Sequence, residues 1–125
     1  TTFVFLAFTS CTSSGNQFKQ GQKLYATHCE SCHMADGTGL GANIPPLAIS
    51  DYLKERQYEI ACIIRYGLTD TITVNGVEYT EQMIPIPQLT EFEMVNIINY
   101  INHEWDNDFG FVTVNGLREN LEKCD

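Results

Sequence analysis

Apolar residues recur at spacings of three and four in two widely separated stretches. Phe18, Gly21, Leu24, Tyr25 and His28 predict a first helix over residues 17–33. From Leu89 to Ile101, the pairs Phe92/Met94, Ile97/Ile98 and Tyr100/Ile101 give a second amphipathic helix. Thr90 followed three residues later by Glu93 marks its start as a capping box. Gly21 lies four residues before Tyr25, where a helix surface would otherwise carry a side chain, so it marks a place where another backbone comes close. The two helices are therefore expected to cross.

Between them the pattern changes several times. Residues 34–50 contain Gly37, Gly39 and Gly41 and then Pro45-Pro46-Leu47, which predicts a loop running into a rigid extended stretch. Ser50 or Asp51 can cap a short helix at Tyr52-Leu53, and a stronger one follows over Tyr58–Tyr66, closed by Gly67. Residues 71–74 and 77–79 are β-prone and are joined by Asn75-Gly76, a hairpin signal. After a turn at 106–110, residues 113–124 predict a short helix with Leu117 and Leu121 on one side. The class is all-α with one small hairpin.

A chain of 125 residues is one domain by size. Its first ten residues are apolar and uncharged, too few to span a bilayer, and resemble the end of a signal peptide. Cys11 follows small residues and precedes a polar run, an order similar to a bacterial lipoprotein cleavage site with Cys11 as the lipidated residue. The expected division is residues 1–16 as signal remnant and tether, 17–109 as the main domain, and 110–125 as a C-terminal extension. The net charge is −9, and all of it falls after Arg65: residues 1–65 hold five basic and five acidic side chains, residues 66–125 two basic and eleven acidic. Such a surface excludes nucleic acid as a partner and suits a protein with a basic patch.

The chemistry concentrates in Cys29-Glu30-Ser31-Cys32-His33. Thiols three apart lie on one side of a helical turn, so both reach one edge of a flat macrocycle. With histidine next in line, the run is the attachment signature of c-type haem, with His33 as axial ligand to iron. A C-x-x-C without the histidine would equally suit zinc or thiol redox chemistry.

Gly21-x-x-x-Tyr25-x-x-x-Cys29-x-x-Cys32-His33, then Met83, then Leu89-Thr90-Glu91 leading to Tyr100-Ile101, resembles the class I cytochromes c over about residues 17–105. The resemblance implies a small all-α globule with crossing N- and C-terminal helices around one covalent haem. It implies one-electron transfer without substrate chemistry, and Gly21 with Tyr25, and Ile97 with Tyr100, at the helix crossing. A proline carbonyl would hold the His33 ring; Pro45, two before Leu47, matches the family position, with Pro46 left open. Tyr25, Pro45, Pro46, Leu47, Arg65, Tyr79 and Ile84 are the expected haem-pocket residues. Arg65 would pair with a propionate or else be a solvated helix end, and Tyr79 would face inward from the hairpin.

For the second axial ligand, Met34 adjoins His33, His28 adjoins Cys29, Met94 lies on a core stripe and His103 ends a helix. Met83, in a proline-bearing loop before the last long helix, remains, and there the family places its ligand, here as Met-Ile-Pro rather than Met-Pro. Cys62 and Cys124 are left to form a disulfide or to stand as separate thiols. The expected role is a periplasmic or lipid-tethered electron carrier between respiratory redox proteins, as a monomer or within a complex. The alternatives are a haem-based small-ligand sensor and a fixed subunit of a respiratory complex.

Overall fold

The computed structural model describes residues 18–125. Cys11 and the tether expected over residues 1–16 lie outside the described residues. The helices are α1 (Lys19–His28), α2 (Glu30–His33), α3 (Asp51–Glu55), α4 (Ile60–Tyr66), α5 (Glu91–His103) and α6 (Val114–Glu122), with a 3-10 turn at Gln57–Glu59. Strands β1 (Ile72–Val74) and β2 (Val77–Tyr79) form an antiparallel hairpin that pairs Ile72 with Tyr79 and Val74 with Val77. No helix among the described residues is long and apolar enough to cross a membrane.

The helix expected over 17–33 is in fact two. Cys29 leaves the helical region (φ −123°, ψ −33°) although its N–H still bonds Tyr25 O at 2.8 Å. This break re-aims α2, which carries Cys32 and His33, relative to α1.

The main helix contact is α1 against α5. Gly21 is the reason they approach so closely: a Cβ there would lie 2.7 Å from Tyr100 Cβ and run into the Asn96 carbonyl oxygen. Around this crossing Tyr25, Met94, Ile97, Ile98, Tyr100 and Ile101 are buried. Leu117 of α6 is fully buried in the same core, so residues 110–125 do not form a separate unit.

Local chemistry sets the helix starts. Ser50 Oγ accepts from Leu53 N–H at 3.2 Å, and Thr113 Oγ accepts from Gly116 N–H at 3.1 Å. Thr90 and Glu93 form the expected reciprocal capping box. The hairpin is tied to the start of α3 by two bonds, Asp51 N–H to Asn75 Oδ1 (3.0 Å) and Asn75 N–H to Asp51 Oδ1 (2.7 Å).

Buried amides and a disulfide secure the tail. Asn102 Nδ2 donates to Gln57 Oε1 (2.7 Å) and Gly110 O (3.0 Å), and Asn99 bonds both backbone groups of Val112 (2.8 and 3.0 Å). Cys62 of α4 and Cys124 after α6 form a disulfide across 62 residues of sequence. In the loop-entropy account such a closure stabilises by about 4 kcal/mol.

Candidate functional site

A cleft of about 360 Å³ runs between the end of α2, the loop segment 43–47, the inner faces of α4 and α5, the hairpin and the loop after it. Its walls are chiefly apolar and include Leu53, Ile60, Ile64, Val74, Ile97 and Ile101. Cys29, Cys32 and His33 enter from one element, and Met83 from another.

His33 is 9% exposed. Its Nδ1 lies 3.1 Å from Pro45 O; a carbonyl only accepts, so Nδ1 carries the proton and Nε2 keeps its lone pair. Burial lowers the His33 pKa below the usual 6.5, and the Pro45 bond offsets part of that shift. The result is a neutral imidazole in one tautomer, the form that ligates metal.

Cys29 is buried and Cys32 exposed. Burial, reinforced by the neighbouring Cys32, pushes the Cys29 thiol up to about 12. Cys29 is therefore held as the thiol rather than as a free thiolate. Among the described residues no group of three or more His, Cys, Asp or Glu is arranged to hold a bare metal ion.

Met83 is fixed through its backbone. Met83 N–H donates to Leu68 O (2.9 Å) and Leu68 N–H to Met83 O (3.0 Å), while Ile86 N–H donates to Ile64 O (2.8 Å). Gly67, at φ +78°, makes this possible, because a Cβ there would lie 2.6 Å from Met83 O. The loop is thereby pinned to the end of α4.

Of the other expected pocket residues, Pro45, Pro46, Leu47 and Tyr79 line the cleft, with Tyr79 buried. Ile84 lines only its mouth, being 79% exposed. Two residues lie elsewhere in the structure. Tyr25 stands outside the cleft, in the helix crossing: its ring packs on Tyr100 and Trp105, and its hydroxyl donates to Met34 O at 2.6 Å. Buried there, its phenol is raised above its ordinary pKa. Arg65 is likewise outside the cleft and is not a solvated helix end. Its Nη2 reaches Leu89 O and Met94 Sδ, both at 3.3 Å, and its Nε is buried with no hydrogen-bond partner among the described residues.

Sequence reasoning missed Trp105 and Asn107. Trp105 Nε1 donates to Ala35 O at 2.9 Å and so anchors the chain just after His33. Asn107 bonds Leu47 and Ile49 of the loop before α3. Each lies some sixty or seventy residues from its partner in sequence, and no local pattern announces such a contact. A larger hollow of about 510 Å³ adjoins the cleft at Tyr52, Leu68 and Ile72, but it is polar, with Asp51, Glu55, Glu59 and Asp70 in its lining, and presents no Cys, His or Met.

The donor set and the apolar walls fit a flat, mainly apolar macrocycle held by two sulfurs and ligated by a neutral imidazole. The family model for cytochrome c matches residues 18–105. The chain is also similar to the cytochrome c subunit of a quinone alcohol dehydrogenase from Gluconobacter oxydans (strain 621H). The two are 26% identical over 101 residues, which cover 80% of this chain and 21% of that relative. The chain thus spans about a fifth of the length of the relative it matches.

Proposed function

The chain belongs to the cytochrome c family, and from that premise we propose that it is an exported one-electron carrier whose single covalent haem c is ligated by His33 and Met83. The family's activity is electron transfer rather than substrate chemistry. The haem supplies the redox centre, an iron that takes up and releases one electron. What supports the ligand assignment is that His33 and Met83 reach the same apolar cleft as Cys29 and Cys32.

The chain's own residues then have distinct tasks. Cys29 and Cys32 hold the macrocycle through thioether bonds. Pro45 O orients the His33 ring. Met83 sulfur favours the reduced iron, and the isoleucine and leucine walls disfavour added positive charge, so both raise the reduction potential. The backbone bonds at Met83 and the Pro45 bond at His33 restrain the two ligand-bearing segments. Exposed Ile84 and Cys32 place the cleft's open edge at the surface, where an electron can leave.

Placement in a respiratory chain, on the periplasmic side of a bacterial membrane and anchored by lipid on Cys11, completes the proposal. A second reading, a fixed monohaem subunit of a dehydrogenase complex, draws its support from the Gluconobacter relative, itself the cytochrome c subunit of an alcohol dehydrogenase. Either way the eleven acidic side chains after Arg65 suit a basic redox partner. Transfer rates should then fall steeply with ionic strength for a shuttle, and co-purification should survive high salt for a subunit.

The test of the ligand pair is spectroscopic. The oxidised wild-type holoprotein should show the weak near-infrared sulfur-to-iron band, and Met83→Ala should lose it and bind carbon monoxide rapidly when reduced. A wild-type protein without the band, and with rapid carbon monoxide binding, would instead be a small-ligand sensor.

A further inference from the structure

Immediately after α5 the chain takes two positive φ values in succession, Trp105 (+53°) and Asp106 (+65°), neither of them glycine. This strained turn carries Asn107 inward, where it is 5% exposed. Its side chain is used almost to capacity. Nδ2 donates to Leu47 O (3.0 Å) and Ile101 O (2.8 Å), and Oδ1 accepts from Ile49 N–H (2.7 Å). Ile49 itself has φ +53°, a conformation that a β-branched residue adopts only when something holds it.

Asn107 therefore grips both ends of Leu47-Ala48-Ile49. On the N-terminal side of that grip are Pro45 and Pro46, whose rings fix φ and transmit the position of Leu47 to the Pro45 carbonyl. That carbonyl accepts the His33 Nδ1 proton. The other anchor, Ile101, lines the cleft. Asn107 lies beyond residues 18–105, the part matched to the family.

We propose that Asn107 is a positioning residue for His33: by clamping Leu47 O and Ile49 N it sets the Pro45 carbonyl against the His33 ring and so tunes the haem reduction potential. The proposal rests on the reading of His33 as axial ligand. A firm Nδ1–H···O bond gives the imidazole partial anionic character, which favours ferric iron. Releasing the clamp weakens the bond and raises the potential.

The experiment measures two quantities in the holoprotein: the reduction potential, and by NMR the exchange rate of the His33 ring N–H in the reduced state. Asn107→Ala should raise the potential and speed exchange by about tenfold, the factor for losing one modest hydrogen bond. Asn102→Ala breaks a buried amide network that does not touch residues 45–49 and should lower stability while leaving both readings unchanged. Ile49→Gly removes the backbone strain at an exposed position, so Ile49→Gly/Asn107→Ala should recover part of both readings. If Asn107→Ala yields no holoprotein, Asn107→Asp keeps the acceptor for Ile49 N–H, loses the amide donors to Leu47 O and Ile101 O, and should speed the ring N–H exchange in the same direction. Unchanged readings in the Asn107 variants, or equal changes in Asn102→Ala, would overturn the clamp. Failure of the underlying reading looks different: His33→Gly would then leave the haem absorption spectrum as in wild type.

Discussion

The two walls that supply the iron ligands are built differently. The His33 wall is cross-linked by side chains to α1 and to the turn that follows α5: Tyr25 of α1 holds Met34 O, Trp105 holds Ala35 O, and Asn107 holds Leu47 O and Ile49 N. Backbone bonds add to these, with Leu47 and Ala48 N–H both donating to Gly37 O (2.7 and 2.9 Å). The Met83 wall depends on the reciprocal bridge to Leu68 and one bond from Ile86 to α4, and its apex, Ile84, is largely in solvent. More independent restraints mean a higher free energy of local opening, so the methionine side is the one that should open first.

The C-terminal segment serves both walls by different means. It reaches the His33 wall through hydrogen bonds from Asn107 and the Met83 wall covalently, through Cys124 to Cys62 on α4. The largest expected effect is therefore that of Cys62→Ser/Cys124→Ser: guanidinium unfolding of the holoprotein should show a loss of about 4 kcal/mol. The near-infrared sulfur-to-iron band should vanish at lower denaturant than the helical far-ultraviolet circular dichroism. Simultaneous loss of both would show that the walls open as one.

Gly67→Ala comes next. A left-handed alanine with its Cβ at 2.6 Å from Met83 O combines backbone strain with a clash, about 2–3 kcal/mol together. Carbon monoxide binding by the reduced protein should accelerate, while the His33 ring N–H exchange stays as in wild type. Tyr25→Phe is smaller and falls on the other wall. It removes one of two bonds to the Met34 carbonyl, which keeps the Gly37 N–H at 3.1 Å, at about 1 kcal/mol, and should lower stability without changing carbon monoxide binding.

How much of this was legible in the sequence follows from the range of each interaction. The attachment motif, the α1/α5 crossing at Gly21, the capping box at Thr90 and Glu93, and the hairpin at Asn75-Gly76 each rest on neighbours a few residues apart, and all appear in the fold. The break at Cys29 was hidden because a kink that keeps its Tyr25 hydrogen bond leaves the apolar spacing intact. The charge of Arg65 suggests solvent or a propionate, and nothing local in the sequence points to its contacts with Leu89, just ahead of α5, and Met94 on α5. Tyr25 takes the place in the crossing that the family resemblance implies, with its ring on Tyr100. The bonds of Trp105 and Asn107 depend on the chain end returning to the His33 loop, which no local periodicity encodes.

The smallest expected effect bears on where the Met83 wall ends. α5 begins at Glu91, directly after that wall, and its start is set by the capping box. Thr90→Ala should cost about 1 kcal/mol at neutral pH. The Glu93 carboxylate accepts from Thr90 N–H at 3.1 Å, and this bond holds its pKa below the usual 4.5. A depressed folded-state pKa means that the bond's contribution is present above pH 4.5 and is lost as pH falls through the folded value. Acid should therefore weaken the sulfur-to-iron band below pH 4.5 while the His33 ring N–H exchange, at the far end of α5, changes less. Glu93→Gln, which cannot ionise, should flatten that part of the titration. If wild type and Glu93→Gln titrate identically, the cap does not support the Met83 wall, and the asymmetry between the two walls must come from the Leu68 bridge and the Ile86 bond alone.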